Sequence, residues 1–140
     1  MTQASGEPNA GQQSERYKRG WAKLAQVDGE AAEAVLESLA GIAPDLGRYI
    51  VEFGFGDIYS RPGLDLKSRE IATVAALTAM GNAAPQLKVH INAALNVGVS
   101  KGEIVEILIQ MVAYAGFPAA LNAMALAKEV FATRESRESA

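Results

Sequence analysis

The sequence predicts an all-α fold, a compact domain of about six or seven helices, on three observations. Alanine supplies 26 of the 140 residues; it is a strong helix former and is depleted in strands. Helix-starting residues and glycine stops recur along the chain at intervals of one helix length. No stretch alternates apolar and polar residues in the two-residue period of a half-buried strand.

The elements follow in order. Residues 1–13, made largely of Gly, Ser, Gln and Pro, are expected to form a disordered arm. A first helix spans about Ser14 to Gln26, with Tyr17, Trp21 and Leu24 at helical spacing. Asp28 is expected to cap a second helix carrying Ala31, Val35 and Leu39 and ending near Gly41. Pro44 opens a third, through Leu46, Tyr49, Ile50 and Phe53, which Gly54 and Gly56 should break, leaving Asp57–Leu64 as a polar loop. Asp65 caps a fourth helix over Leu66–Met80, stopped by Gly81. Pro85 opens a fifth that ends at Gly98. Ser100 and Glu103 form a capping box for a sixth, through Tyr114. Its apolar residues, Ile104, Val105, Ile107, Leu108, Ile109, Met111 and Val112, run nearly all the way round, so it is expected to be covered on all sides by neighbours or by another subunit. Pro118 opens a seventh helix that fades after Phe131, and 133–140 reads as a frayed tail. The helical domain is thus 14–132, one domain for a chain of this length.

Composition excludes several classes of function. The net charge is -3 and Lys and Arg form no block, which argues against nucleic-acid binding. No apolar run approaches the roughly 18 residues of a membrane helix. Residues 1–13 lack the basic start and apolar stretch of a secretory signal, so the expectation is a soluble, cytoplasmic protein. There is no cysteine, hence no disulfide and no thiol chemistry. With a single histidine besides, a transition-metal site is not expected.

The chemistry-bearing residues gather in two places. On the fifth helix, Leu87, Ile91, Ala94 and Leu95 form an apolar stripe, and His90 lies on its edge, about 60° from Leu87 at 100° per residue. A histidine there is either a core residue satisfied by a carbonyl, or a general acid/base or oxyanion partner facing a cavity. Glu70 lies at the margin of the inner face set by Ile71, Val74, Ala75 and Thr78. It is either a solvated acid near a helix N-terminus or a carboxylate that orients His90. The fourth and fifth helices are joined by few residues and should pack antiparallel, which permits that contact without forcing it. Arg61 of the loop and Arg69 of the fourth helix can clamp substrate carboxylates, or else Arg61 anchors the loop to backbone carbonyls and Arg69 pairs with a neighbouring acid. Asp57 and Tyr59 carry the same two readings; Asp57 can simply cap a turn.

Taken together, these segments resemble the carboxymuconolactone decarboxylase family. The likeness runs from Arg61-Pro62-Gly63-Leu64 and Ser68-Arg69-Glu70, through His90 with Ala93-Ala94-Leu95-Asn96-Val97-Gly98-Val99 and Glu103-Ile104-Val105-Glu106, to Tyr114-Ala115-Gly116-Phe117-Pro118-Ala119-Ala120. It spans roughly Tyr17 to Phe131. The resemblance implies an alkyl hydroperoxidase D-like all-α fold and a homo-oligomer, a hexamer or trimer. The peroxidase branch of that family uses a Cys-x-x-Cys pair. The corresponding span here, Met80-Gly81-Asn82-Ala83-Ala84-Pro85-Gln86, has no sulfur nucleophile, which disfavours thiol peroxidase activity. The other branch decarboxylates 4-carboxymuconolactone in aromatic catabolism without metal or organic cofactor. Gly56–Leu64 is similar to that branch, with Tyr59 where a tryptophan is common and Glu70 departing from some decarboxylases. The implied roles are His90 and Glu70 as catalytic residues, and Arg61, Arg69, Tyr59 and Asp57 as binders of a small carboxylate. The alternative is a family member of different or lost activity, a ligand-binding or structural helical oligomer.

Overall fold

The computed structural model describes residues 13–140; the arm expected over 1–13 falls almost entirely outside them. The described residues hold helices and turns and no strand. In order they are α1 (Glu15–Ala40), α2 (Pro44–Tyr49), a π-helix (Ile50–Tyr59), α3 (Leu66–Met80), α4 (Ala84–Asn96), α5 (Lys101–Ala115) and α6 (Phe117–Glu138).

The caps form where the side chains dictate them. Ser14 accepts from the Tyr17 N–H to start α1, and Asp65 accepts from the Ser68 N–H at 2.7 Å to start α3. Gly81, with φ 74°, closes α3 in the left-handed region. Ser100 and Glu103 satisfy each other's backbone N–H groups at 3.0 and 2.8 Å, the reciprocal capping box of α5.

Three boundaries differ from expectation. The two N-terminal helices are one, α1, bent at Gly29, whose φ of 43° and ψ of -118° are not helical. Asp28 does not cap: its side chain takes no hydrogen bond from the following N–H groups. Second, Gly54 and Gly56 do not break the chain. The helix widens into the π form and runs on to Tyr59, so only residues 60–65 are loop. The cause is packing against α1. A β-carbon on Gly20 would collide with the Val51 carbonyl, and one on Gly56 would lie 2.6 Å from the Arg16 carbonyl oxygen. Glycine at both points lets the two backbones touch. Arg19 then donates to the Gly56 carbonyl at 2.8 Å, and Ser60 to the Phe55 carbonyl at 2.6 Å. Third, α6 continues to Glu138 through the segment expected to fray.

Two apolar clusters share α4. Its Leu87, Ile91 and Ala94 pack with Val74 of α3, Ile104 and Leu108 of α5, and Ala127 and Val130 of α6. Its Ala93 faces Leu24 and Val27 of α1 and Val51 and Phe55 of the π-helix. The sixth predicted helix, α5, is less enclosed in the single chain than its composition suggests: Ile104, Leu108 and Met111 are buried, but Ile109 is 52% exposed. No helix among the described residues is long and apolar enough to cross a membrane.

Candidate active site

The α3–α4 hairpin turns Glu70 and His90 toward each other across the seam between the two clusters. Glu70 is fully buried, and its Oε2 lies 2.9 Å from His90 Nδ1. Its other oxygen accepts from the Tyr59 hydroxyl at 2.8 Å. A buried carboxylate is costly unless both oxygens find donors, and this one has them. With Glu70 accepting, Nδ1 carries a proton, and the second ring nitrogen, Nε2, is the one left for a ligand. The π-helix is what brings Tyr59 into reach, since it extends the helical path four residues beyond Phe55 and packs the two rings, tilted by 39°, at 4.8 Å between centroids. Burial, with the Glu70 charge adding to it, raises the Tyr59 phenol far above its ordinary value, so Tyr59 remains a donor. Thr73 stands 2.8 Å from the Tyr59 oxygen and 2.9 Å from the Arg69 carbonyl, and has one proton to give.

His90 is a quarter exposed, and its open side forms part of the wall of a cavity of about 570 Å³. The wall is mainly aliphatic and aromatic, including Leu24, Val27, Leu36 and Phe55, and its only titratable members among the described residues are His90 and Asp28. Such a cavity suits a small organic molecule, gripped by apolar walls and oriented by few polar groups.

The other expected binders sit elsewhere. Arg69 donates to the Arg61 carbonyl at 2.9 Å and lies over the Tyr59 ring at 5.9 Å, so it fixes the loop and the tyrosine. Neither Arg61 nor Arg69 lines the cavity. Asp57 is engaged by α1: Arg16 holds it at 2.6 Å and Arg19 at 3.5 Å. Arg16 keeps the Asp57 carboxyl below the usual range, and the partly exposed pair does not line the cavity beside His90. No local pattern signals this pair, because Arg16 and Asp57 are 41 positions apart.

Asp28 is the residue that sequence patterns missed. Its place before a helical segment fits a cap, and only the bend at Gly29 shows that the carboxyl turns into the cavity instead. It is 9% exposed. Burial raises it to about 6; His90 opposes this and Glu70 adds to it. The one advance signal was a lone acid within an otherwise apolar helical face, beside Val27 and Leu24.

Comparison with known proteins then bears on this geometry. The sequence profile described as the carboxymuconolactone decarboxylase family matches residues 44–129, which include Tyr59, Glu70 and His90. The chain is 38% identical over 118 residues to a 4-carboxymuconolactone decarboxylase of Acinetobacter baylyi, covering 84% of this chain and 87% of that one. It is 34% identical over 101 residues to an uncharacterized 15.0 kDa protein of Paracoccus denitrificans, 71% and 75% of the two chains. It is 35% identical over 75 residues to a nitrosuccinic acid decarboxylase of Metarhizium robertsii, 54% and 52% of the two.

Because the native state holds the Asp28 proton more tightly than the unfolded chain, its contribution favours the fold below about pH 4 and is lost as pH rises through about 6. Asp28→Asn removes that loss. Relative to the variant, the wild type should lose roughly 2–3 kcal/mol of stability between pH 4 and pH 7. Denaturant midpoints for both proteins across that range measure it; parallel curves would contradict it.

Proposed function

The chain belongs to the carboxymuconolactone decarboxylase family, and from that premise we propose a cofactor-independent decarboxylase acting on a small carboxylated lactone such as 4-carboxymuconolactone. The observation that carries this reading is the Tyr59–Glu70–His90 relay opening on an apolar cavity. The two relatives named as decarboxylases add a chemical constraint. A carboxymuconolactone and a nitrosuccinic acid share little shape, but in each the carbon losing CO₂ can pass its electron pair to an oxygen, of the lactone or of the nitro group. The common requirement is a fixed donor at that oxygen in a site of low dielectric.

His90 is placed to be that donor. In the reactive form the ring holds protons on both nitrogens: Nδ1–H bonds Glu70 and Nε2–H faces the cavity. Glu70 balances the imidazolium charge, and Tyr59 prevents the carboxylate from turning away. The aliphatic wall excludes water, which strengthens the bond to the developing oxyanion. Gln86, also on the wall, is a neutral donor for a second carboxylate, whereas the Ser38 hydroxyl donates to the Val35 carbonyl at 2.6 Å. Arg69 fixes the loop after Tyr59 through the Arg61 carbonyl, and Asp57 ties the π-helix to α1.

Self-association belongs to the same proposal. Ile109, Tyr114, Phe117 and Leu121 leave between half and four-fifths of their surface exposed along the α5–α6 junction. Exposed apolar residues concentrated in one region mark an interface.

His90→Ala should reduce release of CO₂ from 4-carboxymuconolactone by at least about 10²-fold, the range for loss of a general acid or an oxyanion donor. Full turnover in the variant would overturn the assignment. In sedimentation the protein should run as a multimer well above its 14.7 kDa chain mass, and a monomer at micromolar concentration would exclude the interface.

A further inference from the structure

The relay leaves one step without an agent. After CO₂ departs, a proton must be added to carbon, and the ring nitrogen of His90 that faces the cavity is already engaged at the oxyanion. One nitrogen cannot hold that oxygen and protonate a carbon elsewhere in the same conjugated system at the same moment. The cavity wall offers one other titratable group among the described residues, Asp28.

We propose that Asp28 is the acid that delivers this proton, an inference that rests on the decarboxylase reading above. The backbone is built to present it. Gly29 takes a conformation that L side chains rarely adopt, and the bend interrupts the helical ladder. The Val27 carbonyl is taken up by Asn96 of α4 at 3.1 Å, and Asn96 is in turn held by Arg134 of α6 at 3.0 Å. The bend is therefore braced from two other helices, as expected where a distorted backbone serves a site. The Asp28 carboxyl has no hydrogen-bond partner among the described residues, although it is nearly buried. An acid without a protein partner in the wall of a cavity is free to meet a ligand there.

Asp28 also lines a second cavity, of about 560 Å³, bounded by α1, α4 and α6. The groups around it are His90 and Lys88 of α4, Glu70 of α3, Arg134 and Arg137 of α6, and Glu30 on its own helix. Asp28 thus borders both the substrate cavity and a more polar one from which it can be recharged.

The step balances. The C–C bond to the substrate carboxylate breaks and CO₂ leaves; the electron pair enters the conjugated system, with charge on the oxygen held by His90. The Asp28 O–H bond then breaks, and its proton forms the new C–H bond. Asp28, now a carboxylate, takes a proton from water through the second cavity. The sum is substrate carboxylate plus one proton giving product plus CO₂. Burial keeps Asp28 protonated at mildly acidic pH, and an incoming substrate carboxylate, as a like charge, extends that range upward.

The test uses the full chain and 4-carboxymuconolactone. Asp28→Asn keeps the shape and removes the transferable proton. It should lower kcat by 10²–10³-fold, roughly the value of one general acid, with KM changed less than about threefold. The wild-type kcat should fall as pH rises through the Asp28 range, and this limb should be missing in Asp28→Asn and restored, with partial activity, in Asp28→Glu. By microscopic reversibility, wild type should also exchange the ring-carbon hydrogen of the isolated product with D₂O, and Asp28→Asn should not. An active wild type with an equally active, equally pH-dependent and equally exchanging Asp28→Asn would overturn this proposal alone. A wild type that neither releases CO₂ nor exchanges hydrogen would overturn the decarboxylase reading, and this step with it.

Discussion

Everything at the centre of this protein depends on the burial of the Glu70 carboxylate. A charge with no exposed surface is tolerated only if its environment supplies donors in fixed directions. Two elements do so from opposite sides: His90 from α4 at 2.9 Å and Tyr59 from the π-helix at 2.8 Å. Each contact then constrains something beyond itself. The bond to Nδ1 fixes which ring nitrogen faces the cavity, and the bond from Tyr59 fixes where the π-helix must end. The glycine contacts with α1 serve that end, because a conventional helix kept away from α1 by side chains would deliver Tyr59 elsewhere.

The cavity shows the same economy. Its wall is aliphatic and aromatic apart from a few polar groups, and its two titratable members reach it by different devices. His90 is placed by an ordinary helical face. Asp28 is placed by a broken one, at Gly29. Their environments differ accordingly. The imidazole has a charged partner behind it, whereas the carboxyl has none, and burial favours its neutral form.

How much of this was legible from sequence depends on the range of the interaction. Caps were, because Asp65 and Ser100 act on backbone N–H groups three residues away. The amphipathic margin of His90 was, because it is a matter of spacing along one helix. The π-helix was not. Gly54 and Gly56 look like breakers in isolation, and only the partner surface at Gly20 and Arg16 shows that Gly56 is there for close approach. Asp57 and Asp28 exchanged roles for the same reason. The acid in a conspicuous polar stretch is paired with Arg16 across 41 positions, while the acid that resembles a routine cap faces the cavity. Local pattern finds helices and their faces; it does not tell which side chain a distant helix will claim.

The hydrogen bond between Glu70 and His90 is the element on which the rest turns, and the nitrogen spectrum of the single histidine reports it directly. Long-range proton–nitrogen correlation of the full-length protein should show Nδ1 protonated throughout the range in which the fold is stable, with a proton resonance shifted far downfield that is lost in Glu70→Gln. A ring whose Nδ1 is unprotonated, with the proton on Nε2 alone, would mean that Glu70 does not hold it and that the relay described here does not exist.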